Sequence, residues 1–323
     1  MQTYQKEQLK ILFFGLGSIG KKHAEIIKEK FNYRLFAYRT NKGQEKSKQG
    51  FKEFNNIKDA IEFKPDIAFI TNPTFLHINT ALKCAEKNIH MFIEKPISHN
   101  LENVDKLEKE IQKRKLITYI AYNLRFHPLI EKIKEITEKE KPTYFKSICS
   151  SYIPEWRPNQ DYSRSYSAKK ELGGGVLLDL SHEIDYITWF FGEIKKIEGY
   201  CDKISDLKID CEDIMEAEIT FKTGIRGEMH LDYFTKKPQR TITLQYANKK
   251  IEGDLLKNTI KTIENKKEKT IQLKCEKDES YIKQIEYFFK QYYSKNPNMM
   301  NNYSDALKTF KKIIEFKKNN CKI

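Results

Sequence analysis

Gly15-Leu16-Gly17-Ser18-Ile19-Gly20 follows the apolar run Ile11-Leu12-Phe13-Phe14 and precedes a stretch with the pattern of a helix, Lys21 to Lys30. A strand, a tight glycine turn and a helix start, in this order, form a site that binds the pyrophosphate of a dinucleotide. The next apolar run, Tyr33 to Tyr38, completes a β-α-β unit. The sequence therefore predicts a dinucleotide-binding turn, and a glycine turn without a ligand is the alternative interpretation.

Each position of this turn has a predicted role. Gly15 permits the tight turn, Gly17 lets the backbone approach the phosphates, and Gly20 lets the helix pack closely on the strand. Backbone N–H groups at Ser18 and Ile19 have no partner inside the helix and can bind the anion.

The length of the chain predicts two domains. Its 323 residues exceed the roughly 250 to 300 residues at which single cores stop growing. Residues 1–122 alternate strand and helix patterns, which predicts a doubly wound α/β domain with a parallel Rossmann sheet. The strand candidates of this domain are Lys10 to Phe14, Arg34 to Tyr38, Ile67 to Thr71, His90 to Ile93 and Ile117 to Ala121.

Residues 123–323 show a different pattern. A predicted helix, His127 to Glu140, is followed by an extended run, Tyr144 to Tyr152, and an aromatic loop, Pro154 to Tyr166. Short turns join the later strand candidates, so we expect an α+β domain with an open, mainly antiparallel sheet. Those strand candidates and the two closing helices are Ile194 to Ile204, Ile214 to Phe221, Arg226 to Tyr233, Thr241 to Tyr246, Ser280 to Ser294 and Ser304 to Lys318.

The positive charge of the chain does not form a dedicated basic arm. There are 59 Lys and Arg against 45 Asp and Glu, a net charge of +14. Most lysines stand among glutamates and asparagines on stretches expected to be helical, such as Lys106 to Lys115 and Lys257 to Lys269, where a solvated face explains them. We therefore predict no nucleic-acid partner, with binding to RNA or DNA as an alternative. The absence of a signal-peptide pattern or a long apolar run predicts a cytoplasmic protein without a membrane partner.

The cysteines are scattered, without Cys-x-x-Cys spacing. This distribution argues against a zinc site and against a disulfide framework. We expect no metal and reduced thiols at Cys84, Cys149, Cys201, Cys211, Cys275 and Cys321.

A second motif, Glu94-Lys95-Pro96, directly follows the strand candidate His90 to Ile93. Ligands of open α/β sheets bind at the carboxyl ends of the strands. A lysine there can donate a hydrogen bond to a substrate oxygen and favour the charge that develops in a hydride transfer. The alternative is a surface ammonium beside a turn proline.

A third motif is a triple glycine, Gly173 to Gly175, leading into a predicted helix with Asp179, His182 and Asp185. Spacings of three place these side chains on one helical face. Histidine titrates near neutral pH, so it can exchange the proton of an alcohol while a carboxylate orients it. A structural histidine with Asp179 as a helix cap is the alternative.

Together these motifs resemble the Gfo/Idh/MocA family of nicotinamide-dependent oxidoreductases over essentially the whole chain. Two further segments contribute: Thr71-Asn72-Pro73 with His77, and Ala121 to Pro128 with Asn123 and Arg125 at the domain crossing. The resemblance implies that Lys95 is the substrate-oxygen donor and His182 the general acid or base, and that Asp179 orients the substrate or the histidine. It also implies a homodimer or homotetramer formed through the second sheet.

The resemblance implies which residues bind the cofactor and where this chain departs from its family. Most members place the histidine four residues after the aspartate, whereas Asp179 and His182 are three apart. That difference leaves the roles of Asp179, His182 and Asp185 open. The implied cofactor-binding residues are Gly15, Gly17, Ser18, Ile19, Gly20, Arg39, Thr40, Thr71, Asn72, Pro73, His77, Glu94, Lys95 and Asn123.

The end of the second strand predicts the cofactor. NAD enzymes usually hold an acid there, about 20 residues after the turn, to bind the ribose hydroxyl. This chain has Arg39, Thr40 and Lys42 instead, which suit a 2′-phosphate. We therefore predict NADP(H), with NAD(H) as the alternative.

The aromatic loop predicts the substrate. Aromatic faces pack on sugar rings, and arginine grips phosphate or carboxylate. With the triple-glycine segment, this loop resembles a family branch of bacterial surface-sugar biosynthesis. We expect an amino sugar, sugar phosphate or nucleotide sugar with a secondary alcohol or ketone, or alternatively a loop that closes a core or an oligomer interface. A regulator that binds dinucleotide and sugar without turnover is a further alternative. The predicted substrate-binding residues are Lys95, Arg125, Tyr152, Trp156, Tyr162, Arg164, Asp179 and His182.

Overall fold

A computed structural model describes residues 8–40 and 51–322, and it divides the chain into two compact units. The first unit combines Met1–Ala121 with Tyr281–Asp305, and the second combines Tyr122–Ser280 with Ala306–Ile323. The first crossing lies one residue from the predicted domain boundary. The closing helix that begins near Ser280 was predicted in the second domain, yet it belongs to the first unit.

The first unit is built on a six-stranded parallel sheet with the strand order β3-β2-β1-β4-β5-β6, as predicted for a doubly wound α/β fold. β3 is a short strand that the sequence analysis missed. The strands are β1 (Lys10–Phe14), β2 (Arg34–Tyr38), β3 (Lys52–Phe54), β4 (Ile67–Ile70), β5 (His90–Ile93) and β6 (Thr118–Ile120). The helices of this unit are α1 (Ser18–Lys30), α2 (Ile57–Glu62), α3 (His77–Glu86), α4 (Val104–Arg114) and α8 (Glu279–Tyr293).

Apolar strands covered on both faces explain this sheet. β4 is buried at all four of its residues, as expected for a strand with helices on either side. Its Phe69 stacks on Phe92 of β5 with ring centroids 4.5 Å apart, and Phe288 of α8 meets Phe92 edge-on at 5.4 Å. This aromatic packing explains why α8 joins the first unit although it follows the second along the chain.

The second unit holds an eight-stranded sheet with the order β14-β13-β12-β11-β7-β10-β9-β8. β7 pairs with β10 in parallel, and the other neighbours are antiparallel. The strands are β7 (Tyr144–Tyr152), β8 (Ile194–Asp202), β9 (Ile214–Phe221), β10 (Arg226–Asp232), β11 (Phe234–Gln245), β12 (Lys249–Asp254), β13 (Thr259–Glu264) and β14 (Lys267–Gln272). The helices are α5 (Pro128–Lys139), α6 (Val176–Asp179), α7 (His182–Phe191) and α9 (Tyr303–Asn320).

The prediction that Lys257 to Lys269 is helical is wrong. This stretch forms most of the β13–β14 hairpin, and Asn265 and Lys266 at its turn have φ angles of 49° and 61°. Two consecutive residues with positive φ make the turn that matches the twist of a hairpin. The charge pattern suggested a solvated surface, but did not distinguish a helix from a hairpin.

The prediction that all six cysteines are reduced thiols is also wrong, because Cys201 and Cys321 form a disulfide. They are 120 residues apart, so no local spacing could indicate the pair. Cys84, Cys149 and Cys211 are buried thiols, and Cys275 is a partly exposed one. Among the described residues no cluster of His, Cys, Asp and Glu could hold a metal ion, and no described helix is both long and apolar enough to span a bilayer.

Candidate functional site

Of the three glycines in the turn after β1, only Gly17 faces open space. Gly15 has a φ of 95°, and a Cβ built there would lie 2.9 Å from Asn72 Cα. A Cβ at Gly20 would lie 2.5 Å from the Gly15 carbonyl oxygen, whereas a Cβ at Gly17 would meet nothing within 4 Å. Gly15 and Gly20 therefore serve the fold, and the open space at Gly17 fits a pyrophosphate at the start of α1.

The segment after β4 braces this turn. Thr71 donates a hydrogen bond from its hydroxyl to the Gly15 carbonyl at 2.7 Å, and the Asn72 amide donates to the Thr80 hydroxyl at 2.9 Å. The strand order reverses between the neighbours β1 and β4. Such a reversal opens the crevice in which open α/β sheets bind their ligands.

His77 joins the segments that follow β4 and β5. Its Nε2 lies 2.9 Å from the Asn72 carbonyl and its Nδ1 lies 2.9 Å from the Pro96 carbonyl. The ring is only 1% exposed, and burial lowers the pKa of His77. His77 was predicted to bind the cofactor. Its ring connects the Asn72 and Pro96 segments, so its geometry is that of a residue that positions these segments.

Lys95 lies half-buried after β5, at the same edge of the sheet as the glycine turn, because β1, β4 and β5 are neighbours. A cis peptide bond joins it to Pro96. The preceding Glu94 contacts His23 of α1, with Oε1 and Nε2 2.5 Å apart. Helix α1 and the Lys95 segment are thereby held together within one unit.

At the end of β2 the structure reveals an acid that the sequence analysis missed. Arg39 donates from Nη1 to Oε1 and Oε2 of Glu53 on β3, at 3.1 and 3.3 Å. The signal was absent from the local sequence because β3 is brought beside β2 by sheet pairing. Thr40 follows Arg39 at the surface, and Lys42 lies outside the described residues.

In the second unit, the predicted single helix carrying Asp179, His182 and Asp185 is wrong. α6 ends at Asp179 and α7 begins at His182. Between them the Glu183 N–H donates to the Leu180 carbonyl at 3.0 Å, a tighter i−3 bond that interrupts the α-helical pattern. Helical spacing therefore relates His182 to Asp185, which both lie on α7, but does not relate Asp179 to either of them.

Asp179 is held by two tyrosines. Tyr166 donates to its Oδ1 at 2.9 Å, and Tyr233 donates to its Oδ2 at 3.2 Å. Both phenols have a raised pKa, for Tyr166 chiefly because of the Asp179 carboxylate and for Tyr233 chiefly because of burial. They are therefore donors to Asp179, which is not a helix cap. Tyr233 follows β10 without any motif, so the sequence could not indicate it.

His182 and Asp185 have separate surroundings. The His182 ring meets Tyr122 edge-on, with centroids 5.5 Å apart. Asp185 accepts two hydrogen bonds from Arg125, at 2.9 and 2.8 Å. This bidentate pair commits both groups to each other, so Arg125 holds α7 in place.

Two family models match this chain. The oxidoreductase family with an NAD-binding Rossmann fold, Gfo/Idh/MocA, matches residues 9–122, and the GFO/IDH/MocA C-terminal domain matches residues 135–251. The chain belongs to the Gfo/Idh/MocA oxidoreductase family.

Individual relatives fit this family. A myo-inositol 2-dehydrogenase of Thermotoga maritima is 30% identical over 57% of this chain and 55% of its own length, so the chain spans about half of that relative. A UDP-N-acetylglucosamine 3-dehydrogenase structure from Acidithiobacillus ferrooxidans covers 98% of both chains with a TM-score of 0.80 and 17% identity. A levoglucosan dehydrogenase structure with NADH and levoglucosan covers 97% of both, with a TM-score of 0.84 and 16% identity. At this identity the two structures show the shared fold.

The Gfo/Idh/MocA triple glycine of this chain is held by a buried ion pair. Lys317 of α9 lies with Nζ 2.8 Å from Oε1 of Glu212, whose side chain is fully buried. A Cβ built at Gly175, where φ is 105°, would overlap the Glu212 carboxyl group. Glu212 thus fills the space beside the glycine and fixes the approach to α6. Glu212 and Lys317 were not predicted, because they lie far along the chain from the motif.

The predicted substrate loop contacts several neighbouring segments of the second unit. Trp156 donates from Nε1 to the Ser151 hydroxyl at 3.0 Å and meets Tyr233 edge-on at 5.2 Å. Through Tyr233, Trp156 adjoins the group formed by Asp179, Tyr166 and Tyr233, here called the Asp179 cluster. Three other predicted residues lie outside that cluster: Tyr152 ends β7, Tyr162 accepts from the Lys208 N–H, and Arg164 is 88% exposed beside Asp161.

Asn123, a predicted cofactor-binding residue, follows the crossing into the second unit. Its amide donates to the Ser280 hydroxyl at 2.8 Å. Ser280 is the last residue of the second unit before the chain returns to the first. Asn123 therefore joins the two crossing segments.

Proposed function

We propose that this protein is an NAD(P)-dependent dehydrogenase or reductase that acts on a CH–OH or ketone group of a sugar. The observation that carries this proposal is the open space at Gly17 at the same sheet edge as Lys95. Gly17, Ser18 and Ile19 would hold the pyrophosphate, in a turn whose shape depends on Gly15 and Gly20. The nicotinamide, when bound, supplies the site that accepts or donates hydride.

The residues of the chain supply the proton chemistry. Lys95 donates a hydrogen bond to the substrate oxygen and stabilises negative charge there. His182 takes the hydroxyl proton in oxidation and returns it in reduction. Asp179, fixed by Tyr166 and Tyr233, orients the substrate or His182. These roles rest on the family and on the placement of each residue within its own unit.

Turnover tests this proposal. Purified protein is mixed with NAD(P) and a panel of sugars, and the nicotinamide absorbance band is followed. Lys95→Ala and His182→Ala should each lower kcat by roughly 100-fold or more, with dinucleotide affinity retained in the histidine variant. Lys109→Ala and His230→Ala, at positions outside the proposed site, are the matched controls. Saturable binding of dinucleotide and sugar with no turnover would instead establish the regulator alternative.

We infer a preference for NADP(H) over NAD(H) from Arg39 and Thr40 at the end of β2. Glu53 forms an ion pair with Arg39, so its carboxylate competes with a 2′-phosphate for the guanidinium group. Arg39→Ala should weaken NADP selectively, and Glu53→Gln should strengthen NADP relative to NAD by removing the competing carboxylate. Dissociation constants of both cofactors test this preference. It would be rejected if NAD bound more tightly than NADP and if Arg39→Ala left that affinity unchanged.

We also propose an amino sugar, sugar phosphate or nucleotide sugar as the substrate, in bacterial surface-glycan biosynthesis. Supporting this are the aromatic loop with Trp156 and the named activity of one relative, a UDP-N-acetylglucosamine 3-dehydrogenase 22% identical over 62% of this chain. UDP-sugars, their free sugars and inositols form the assay panel, and exclusive turnover of inositols would reject this class. A cytoplasmic location and a homodimer or homotetramer remain predictions.

A further inference from the structure

A large cavity of the first unit lies at the edge of the parallel sheet opposite the glycine turn. It encloses about 1170 Å³ and is lined at the starts of the strands by Lys10, Arg34, Asp66 and His90. A strand of five residues such as β1 spans roughly 16 Å at about 3.3 Å per residue. The cavity is therefore separate from the dinucleotide turn. We propose that it is a second ligand site, for a small anion with two or more negative charges.

Positive charge dominates the walls of this cavity. Among the described residues, five cationic side chains line it, those of Lys10, Arg34, Lys64, Lys115 and Lys295, against one carboxylate, that of Asp66. Asp66 accepts a hydrogen bond from the Lys10 backbone N–H at 2.8 Å. Within residues 8–40 and 51–322, Lys64, Lys115 and Lys295 form no ion pair.

Helix ends offset only part of this charge. Lys64, Lys115 and Lys295 follow the carboxyl ends of α2, α4 and α8 and have φ angles of 54°, 52° and 52°. Each helix end contributes roughly half a negative elementary charge. Three such ends and Asp66 leave the five cations with an excess of more than two charges. Cations that only compensated the helix ends would not leave this surplus.

Neutral donors and aromatic rings complete the wall. His90 accepts the Ile117 N–H at Nδ1 at 2.8 Å, which places its proton on Nε2, and burial lowers the pKa of His90. Its ring meets Tyr292 edge-on at 5.2 Å, and the Tyr293 hydroxyl lies 2.8 Å from that of Tyr33. These packed groups give the cavity one rigid side, while Lys64, Lys115 and Lys295 are exposed and can adjust to a ligand. A phosphate or carboxylate ligand meets both requirements.

Calorimetric titration with inorganic pyrophosphate and, separately, with citrate tests this site in the full chain. Because pyrophosphate can also bind the glycine turn, the titration is run on Gly17→Asp, whose added carboxylate repels anions from that turn. Lys64→Glu with Lys115→Glu, in that background, should weaken the remaining binding by roughly 10-fold or more. Lys269→Glu with Lys277→Glu, exposed on the second unit, makes the same change in net charge and should leave affinity nearly unchanged.

The outcomes separate the cavity from the dinucleotide turn. The cavity site is supported if anion binding is retained in Gly17→Asp and weakened when Lys64→Glu and Lys115→Glu are added. The probe that binds more tightly, pyrophosphate or citrate, then distinguishes a phosphate from a carboxylate ligand. Absence of saturable binding in Gly17→Asp, or equal weakening by the control pair, overturns the proposal. Neither result depends on whether the protein turns over a sugar. Thermal melts followed by circular dichroism verify that each variant is folded.

Discussion

The two glycine turns of this protein are built in different ways. The turn at Gly15 to Gly20 is made mainly by backbone: Gly15 lies against main-chain atoms of Thr71 and Asn72, and Gly20 lies against the Gly15 carbonyl and the Thr71 hydroxyl. The turn at Gly173 to Gly175 depends in addition on a pair of side chains. Gly174 lies against the main chain of Tyr166 and Ser167, but the Glu212 carboxyl group occupies the space beside Gly175 and forms an ion pair with Lys317. A turn built from local backbone contacts can be recognised from its glycine spacing in the sequence. A turn that also needs an ion pair cannot, because the paired residues lie far from it along the chain.

The difference also predicts how each turn fails. A substitution at Gly17, the open position of the first turn, should remove ligand binding without unfolding the protein. Loss of Lys317 at the second turn should first lower the stability of the fold, because the Glu212 carboxylate would remain buried without its cation. The following changes test this contrast.

The largest effect is expected from Lys317→Met, which leaves Glu212 buried without its cation. The free energy of unfolding should fall by about 3 kcal/mol. Chemical denaturation followed by tryptophan fluorescence reports it, since both tryptophans, Trp156 and Trp189, lie in the second unit. Lys318→Met, at the exposed neighbour on the same helix, is the control, and equal losses in the two variants would show that the ion pair does not hold the turn.

Gly17→Asp should remove dinucleotide binding while the fold survives. The position has ordinary backbone angles and open space, but a carboxylate there repels phosphate from the helix start. The Kd should rise by roughly 100-fold or more, as expected when an anion site acquires a like charge. Fluorescence titration with NADPH and NADH measures it. Unchanged affinity would place the dinucleotide elsewhere.

Tyr166→Phe should have a smaller effect, on turnover only. Asp179 would lose the hydroxyl donor at its Oδ1, and one hydrogen bond to a charged group corresponds to a decrease in kcat of about 10-fold. Dinucleotide affinity should stay unchanged. Steady-state kinetics compare it with Tyr200→Phe, an exposed tyrosine of β8. A matching decrease in that control, or none in Tyr166→Phe, would remove Asp179 from the mechanism.

The smallest expected effect is a pH dependence confined to the first unit. Burial lowers the pKa of His77 in the folded protein, so below a pH of about 6.5 the unfolded chain binds a proton that the folded one does not. Stability should therefore fall as the pH drops below that value, with a slope approaching about 1.4 kcal/mol per pH unit. His77→Gln should flatten this slope in denaturation followed by circular dichroism. An unaltered slope would mean that His77 does not titrate in this way.

The sequence predicted the first unit more completely than the second. The bounds of β1, β2 and β5 agree with the prediction, because these strands are continuous apolar runs and buried sheets require such runs. In the second unit the β13–β14 hairpin was mistaken for a helix, since exposed strands rich in lysine lack apolar alternation. The break between α6 and α7 was missed because both sides favour helix.

The candidate site follows the same division. Gly15, Gly17, Gly20 and Lys95 could be placed at one sheet edge because parallel strands bring their carboxyl ends together. Tyr166, Tyr233 and Arg125 acquired their partners only through folding, which pairs them with Asp179 and Asp185 across many residues of chain.

By itself the sequence determined the family, the parallel sheet and the backbone turn for a dinucleotide, since these depend on local conformation and short-range periodicity. Only the tertiary structure decided that Cys201 bonds to Cys321, that Glu212 and Lys317 hold the second turn, and that Glu53 stands beside Arg39. The physical reason is that such pairs are selected by distance in space and by burial. Neither quantity is encoded in the spacing of residues along the chain.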